Sequence, residues 1–256
     1  MSRPSPDPTT PPAPSVVEPV ETTPPAPPGP VVAGLVRLST VDWPGKLAAV
    51  VFLQGCPWRC VYCHNEDILD PRAPGAMAWS DVVAFLRRRR GLLDGVVFSG
   101  GEPLLSPALP AAIDEVRDLG FAVGLHTGGA WPRRLEALAA RGALDWVGLD
   151  IKHLPEKYAQ VTGVTTSGSA AWRSLDVVLT HGVAHEVRTT VDPTVHTRDD
   201  VVELAARLRA RGVQHHAIQE ARPDGLAAEH AEAFDDWRLA DLLPADEAPG
   251  TERRAA

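Results

Sequence analysis

The sequence predicts an α/β fold built on a parallel sheet. Three observations carry that expectation. Six short apolar runs recur along the chain, the stretches between them carry helix punctuation, and a glycine closes most of those stretches. The apolar runs are 47–54, 95–99, 121–127, 145–152, 185–191 and 215–219. Most are dense in Val, Leu, Ile or Phe, the pattern of strands buried on both faces. The last is poor in such residues and rests on its place in the series.

The helical stretches follow in order. Ser80 precedes 81–90, and Gly91 follows. Ser106 with Pro107 opens a stretch ending before Gly120, and Pro132 opens one ending before Gly142. Ser169 precedes one ending before Gly182, and Thr197, with Asp200 three residues on, opens one ending before Gly212. Polar N-caps, a proline in the first turn and a glycine past the end are the expected signals. Strands alternating with helices imply parallel strands joined by right-handed crossovers. A doubly wound sheet and a barrel both satisfy this string.

At 256 residues the chain is long enough for one sizeable core. The first thirty residues hold 12 of its 25 prolines, so 1–30 is expected to be a disordered tail. That stretch lacks a basic start and an apolar centre, unlike a secretory signal. The folded domain is placed at 31–243, with a loose C-terminal tail over 244–256. Acidic residues outnumber basic ones 33 to 25, with no basic stripe, which disfavours nucleic acid as a partner. The Arg87–Arg90 run closes a helical stretch, where cations are favoured, and reads as a solvated face. No apolar run approaches the ~18 residues of a membrane span. Three cysteines, closely spaced, do not make a disulfide framework, and a reducing cytoplasm fits them better.

Those cysteines, Cys56, Cys60 and Cys63, form a Cys-x₃-Cys-x₂-Cys loop directly after the first apolar run. A closed structural zinc site or a self-contained iron–sulfur cluster wants four ligands. Three thiolates therefore suggest a metal centre with one open position. Reduced structural cysteines, or zinc with His64 as a fourth ligand, remain alternatives on spacing alone. Other distinctive residues fall at strand ends as well: Gly100-Gly101-Glu102-Pro103, His126-Thr127-Gly128-Gly129, Asp150-Ile151-Lys152 and Arg188. Parallel α/β folds bind ligands at the carboxyl ends of their strands, so all would face one mouth. Glycines let backbone approach a ligand closely, and Glu102 offers a carboxylate to an ammonium group. Lys152 is one of three lysines in a chain that otherwise uses arginine, a compact charge placed at a strand end.

The cysteine loop and the GGEP turn together resemble the radical S-adenosylmethionine superfamily. The resemblance implies a partial (β/α)6 barrel with parallel strands. It also implies a [4Fe–4S] cluster on Cys56, Cys60 and Cys63, with S-adenosylmethionine chelating the fourth iron. The upstream run Val41-Asp42-Trp43-Pro44-Gly45, with Gln54-Gly55-Cys56 and Tyr62-Cys63-His64-Asn65, is similar to the glycyl-radical-enzyme activases. Within that group it is most similar to those serving anaerobic ribonucleoside-triphosphate reductase. By that resemblance Gly100, Gly101 and Glu102 meet the methionine amino group, Tyr62 and His64 flank the adenine, and Asp150, Lys152 and Arg188 lie near the cofactor. Thr127 and Ile151 complete the cofactor-binding set. The implied reaction is one-electron reduction of the cluster by flavodoxin or ferredoxin and scission of the S–C5′ bond. The 5′-deoxyadenosyl radical then takes hydrogen from a glycine Cα of the partner enzyme. Alternatives are a pyruvate formate-lyase type activase, a small-molecule enzyme of the deazaguanine-synthase kind, and a zinc or electron-transfer module. His126 departs from the Asp-Thr-Asn-Gly common in related activases, whose aspartate helps hold a monovalent cation in the pyruvate formate-lyase type. A late adenine-contacting histidine has no clear match; Arg222 is the nearest candidate.

Overall fold

The computed structural model describes residues 29–221, 234, 237–244 and 251–254. Eight strands form one sheet in which each lies beside its sequence neighbour. They are β1 Val32–Ser39, β2 Ala48–Leu53, β3 Gly95–Gly100, β4 Ala122–Thr127, β5 Trp146–Asp150, β6 His185–Val191, β7 His216–Glu220 and β8 Thr251–Arg254. β1 runs antiparallel to β2, and every later pair is parallel. The helices are α1 Trp79–Arg87, α2 Leu109–Asp118, α3 Pro132–Ala140, α4 Tyr158–Thr162, α5 Ser167–Thr180, α6 Arg198–Ala210 and α7 Leu239–Leu242. None of them is long and apolar enough to cross a membrane.

A strand order that never reverses separates the two candidate architectures. A doubly wound sheet reverses at a switch point; here every crossover steps the same way, which gathers the helices on one face. Packing agrees. Val51, Phe98, Leu125, Leu149 and Val187 share one core with Phe85, Ile113, Leu135, Leu175 and Leu204 of the helices. The alternate positions Ala48, Val50 and Val97 pack on the opposite face with Trp43 and Trp146. The fold is a partial barrel, with β1 and β8 as the two end strands of its sheet among the described residues.

Trp43, from the loop between β1 and β2, fills the lumen. Its ring stacks on Trp146 with centroids 5.7 Å apart. Glycines make the room: a Cβ on Gly95 would lie 2.8 Å from Trp43, and one on Gly124 would lie 3.0 Å away. His126 packs edge-on above Trp146 at 5.6 Å.

All six expected strands and five expected helical stretches are present, three of the helices with shifted starts. α1 is capped at Ala78 rather than Ser80, and α2 at Ala108 rather than Ser106. α5 begins at Ser167, ahead of Ser169. Thr197 does cap α6, in a reciprocal box with Asp200. β1 and α4 lie outside the expected elements. The stretch 244–256, expected to be loose, contributes β8.

Candidate active site

Two backbone bonds lock the cysteine loop to the GGEP turn. Gly101 N–H donates to Leu53 O at 3.1 Å, and Glu102 N–H donates to Gly55 O at 2.8 Å. Only hydrogen fits on Gly101, since a Cβ would stand 2.2 Å from Gly55 O. Gly100, at φ 122°, needs the freedom that glycine alone has. On its other side the loop is pinned to the end of α4: Arg59 N–H donates to Thr162 O at 3.1 Å, and Val61 N–H to Val161 O at 3.0 Å. Cys63 N–H closes a turn onto Cys60 O at 3.0 Å.

These contacts bring the strand-end motifs around one cavity of about 390 Å³. Cys56, Cys60, Cys63, Tyr62, His64, Gly100, Gly101, Glu102, Asp150 and Lys152 all line it. Three expected residues do not. Thr127 is buried and donates its hydroxyl to both Glu102 oxygens, at 2.7 and 2.8 Å, so it orients the carboxylate. Ile151 has no exposed surface and belongs to the helix-side core, because the two-residue period of β5 turns it away from Asp150. Arg188 stands behind Asp150, with Nε 3.0 Å from its carboxylate. Arg222 lies outside the described residues. Thr190, Gln219 and Glu220 also line the cavity, from the ends of β6 and β7. Strand-end placement could have found them, but they carry no recognisable motif.

Trp58 lines the cavity from within the cysteine loop, 4 % exposed, and packs edge-on against Tyr158 with centroids 5.9 Å apart. A Cβ on Gly128 would stand 2.5 Å from its ring. The Gly128 of His-Thr-Gly-Gly is therefore matched to the tryptophan. Gly128→Asn should cost about 1–3 kcal/mol by overpacking, read as a lower urea midpoint at unchanged slope. An unchanged midpoint would show that Trp58 moves aside freely.

The charges form a line. Burial alone would raise the Asp150 carboxyl, but Lys152 and Arg188 outweigh it and hold it down at about 2. Lys152 Nζ is 3.3 Å from Asp150 and 5.8 Å from the Tyr62 ring centroid. Burial works against its charge, but Asp150 and then the neighbouring phenol and thiol keep it an ammonium. Burial, then the Arg188 guanidinium, brings His126 down to about 3, so the ring is neutral. Its Nε2–H donates to Asp42 O at 2.7 Å, with Arg188 Nη1 3.2 Å away. The position at issue for a cation thus holds a neutral histidine beside a guanidinium. Glu102, 2 % exposed, accepts from Thr127, from Leu104 N–H at 3.1 Å and from Gly128 N–H at 3.0 Å. Burial raises its carboxyl, and those bonds partly offset this. Three donors thus fix the carboxylate at the cavity wall, two contacts to each oxygen.

The family model described as the radical SAM superfamily matches residues 50–208. The chain belongs to that family. Radical SAM enzymes carry a [4Fe–4S] cluster and S-adenosylmethionine. A Methanocaldococcus jannaschii protein provisionally named a glycyl-radical enzyme activating enzyme is 31 % identical over 201 residues, covering 75 % of this chain and 80 % of its own length. The pyruvate formate-lyase-activating enzyme of Clostridium pasteurianum is 31 % identical over 175 residues, covering 66 % and 71 %. This radical SAM chain is therefore a homologue of glycyl-radical-enzyme activating enzymes. Streptococcus suis SuiB bound to S-adenosylmethionine superposes with a TM-score of 0.56 at 16 % identity, over 79 % of this chain and 48 % of that one. The anSMEcpe structure with AdoMet and a peptide gives 0.53 at 18 % identity, over 66 % and 48 %. The chain spans about half the length of these two structures, and they speak for the fold alone.

The residues present fit the radical SAM cofactors. Among the described residues no three His, Cys, Asp or Glu groups converge on a site for a single metal ion. Each thiolate of a cubane cluster binds a different iron, so no such convergence is required. Burial pushes the Cys56 thiol up to about 12 and raises Cys60 as well, so cluster loading releases protons. The Tyr62 hydroxyl, on a cavity-lining residue, is buried without a hydrogen-bond partner among the described residues, a vacancy that a bound polar ligand can fill.

Proposed function

We propose that this protein is a glycyl-radical-enzyme activase whose partner is anaerobic ribonucleoside-triphosphate reductase. The observation that carries the reading is the single cavity shared by the three cysteines, the GGEP turn and the Asp150–Lys152 pair. Cys56, Cys60 and Cys63 would hold the cluster. When bound, the cluster and S-adenosylmethionine would supply one-electron chemistry at the sulfonium. The protein's own residues bind and orient. Glu102 offers its carboxylate charge to the methionine ammonium. Lys152 offers a fixed cation, and the Tyr62 hydroxyl a donor. Trp58 and the buried lumen exclude water and competing hydrogen donors from the reaction. Thr190, Gln219 and Glu220 close the cavity on the side of β6 and β7. Flavodoxin or ferredoxin supplies the electron.

The names of relatives favour one second reading, a pyruvate formate-lyase partner. Reduced, cluster-loaded protein with S-adenosylmethionine should produce a glycyl-radical doublet in the EPR spectrum of the ribonucleotide reductase. A doublet only on pyruvate formate-lyase would reassign the partner. Cofactor cleavage with no radical on either enzyme would sink the activase reading.

A further inference from the structure

Asp150 and Lys152 reach the cavity from the point where β5 stops. Backbone beyond a strand end is held only by whatever partners it finds. Here side chains from several elements supply them. Tyr158 of α4 donates its hydroxyl to Asp150 O at 3.2 Å and accepts from Lys152 N–H at 3.0 Å. Thr189 of β6 donates to Ile151 O at 2.7 Å. His196 Nε2 donates to Lys152 O at 2.8 Å, and Trp172 Nε1 to His153 O at 3.1 Å.

Tyr158 stands apart in this set. Its hydroxyl is the one group here that bonds the turn on both sides of Ile151. Its side chain has no exposed surface, so the hydroxyl is buried for these two bonds. Its ring packs on Trp58 of the cysteine loop. The same short helix pins that loop at Arg59 and Val61. We infer that Tyr158 is a positioning residue: it fixes the Asp150–Lys152 turn relative to the cysteine loop, and so sets the Lys152 ammonium and Asp150 carboxylate against a ligand in the cavity. The inference rests on the proposed reading of that cavity as the S-adenosylmethionine site. Tyr158 itself does not line the cavity.

Tyr158→Phe keeps the ring on Trp58 and removes both bonds. In cluster-loaded protein, Y158F should weaken equilibrium binding of S-adenosylmethionine about tenfold, the scale of leaving buried polar groups unpaired, with iron content per chain unchanged. In a Lys152→Ala background the same change should cost about twofold or less, because the two act through one contact. In cluster-free protein, amide exchange over 150–154 should speed up in Y158F while the helix-side core stays protected. Should Y158F fail to fold, His196→Ala removes the donor to Lys152 O from outside the cavity and should weaken binding in the same way. Wild-type affinity in Y158F would overturn the inference, as would an equal loss with and without Lys152. A wild type that takes up no S-adenosylmethionine would overturn the functional reading itself, and this inference with it.

Discussion

Replacing Cys60 with alanine should abolish the iron–sulfur cluster and all turnover. Cys60 is the middle cysteine of the loop proposed to hold the cluster, and neither neighbouring element offers another thiol. Two thiolates would leave two of the cubane's four irons without a protein ligand, one more than S-adenosylmethionine would take, and the chain has no spare cysteine to replace it. Iron content and cluster absorbance should fall to background after anaerobic reconstitution. Cleavage of S-adenosylmethionine should lose the whole enzymatic acceleration, on the order of a millionfold or more. The fold should survive. The bonds that hold the loop, from Arg59 to Thr162 and from Val61 to Val161, are backbone bonds and do not use the thiol. Cys60 is half-buried, so its truncation should cost about 1 kcal/mol, the common cost of a point change. A variant that retained a full cluster, or a wild type that bound one zinc and no iron, would defeat the assignment of these cysteines.

The same physics explains what was legible in the sequence. Strands β2 to β5 are buried on both faces, so each stands out as a largely apolar run, whereas β6, reading His-Glu-Val-Arg-Thr-Thr-Val, is marked mainly by its valines and its place in the series. β1 is not buried throughout. Its burial lapses at Val36, Arg37 and Leu38 before returning at Ser39, so it carries no uniform apolar signal and follows directly on the proline-rich segment. β8 is an edge strand of four residues reading Thr-Glu-Arg-Arg, without an apolar residue. α4 has five residues, too few to show a helical period. Helix starts shifted where packing outweighed capping. Trp79 begins α1 ahead of Ser80, and its indole N–H donates to Glu115 of α2 at 2.8 Å.

The site was legible because strand ends converge, but side-chain direction was only partly used. Placing both Asp150 and Ile151 at the ligand ignores the alternation that sends one into the cavity and the other into the helix-side core. The lumen was less visible. Trp43 reads as the variable position of a loop motif, and only the glycines of β3 and β4 beneath it reveal a tryptophan-shaped space. Tyr158 carries no motif at all. Its role depends on two bonds to backbone six and eight residues away.

Acid should destabilise this protein steeply below about pH 6.5, because buried histidines are fixed in their neutral form. His153 Nδ1 accepts from Leu154 N–H at 2.8 Å while Nε2 faces Val195 O at 3.2 Å. His196 Nδ1 accepts from Asp192 N–H at 3.1 Å while Nε2 donates to Lys152 O. His216 Nε2 donates to Thr189 Oγ1 at 2.9 Å, and its Nδ1 is buried without a partner among the described residues. In each ring the second proton would either displace a donor or meet no acceptor. His153 and His196 also stack with centroids 4.6 Å apart, so charging both adds repulsion. Burial, then His196, brings His153 to about 4; burial, then Arg209, brings His216 to about 4; burial lowers His196 as well. The unfolded chain binds these protons near pH 6.5 and the folded chain does not. The stability they confer is therefore complete above about pH 6.5 and is lost as pH falls towards about 4, at up to ~1.4 kcal/mol per pH unit for each ring. Urea midpoints of the cluster-free protein should fall continuously across that window, with several kcal/mol gone by about pH 4.5. His216→Gln keeps a donor towards Thr189 and removes one titration, so it should flatten the slope by about one ring's worth. A slope identical to that of the wild type would mean that His216 takes up its proton in the folded state, which its unpartnered Nδ1 gives it no means to stabilise.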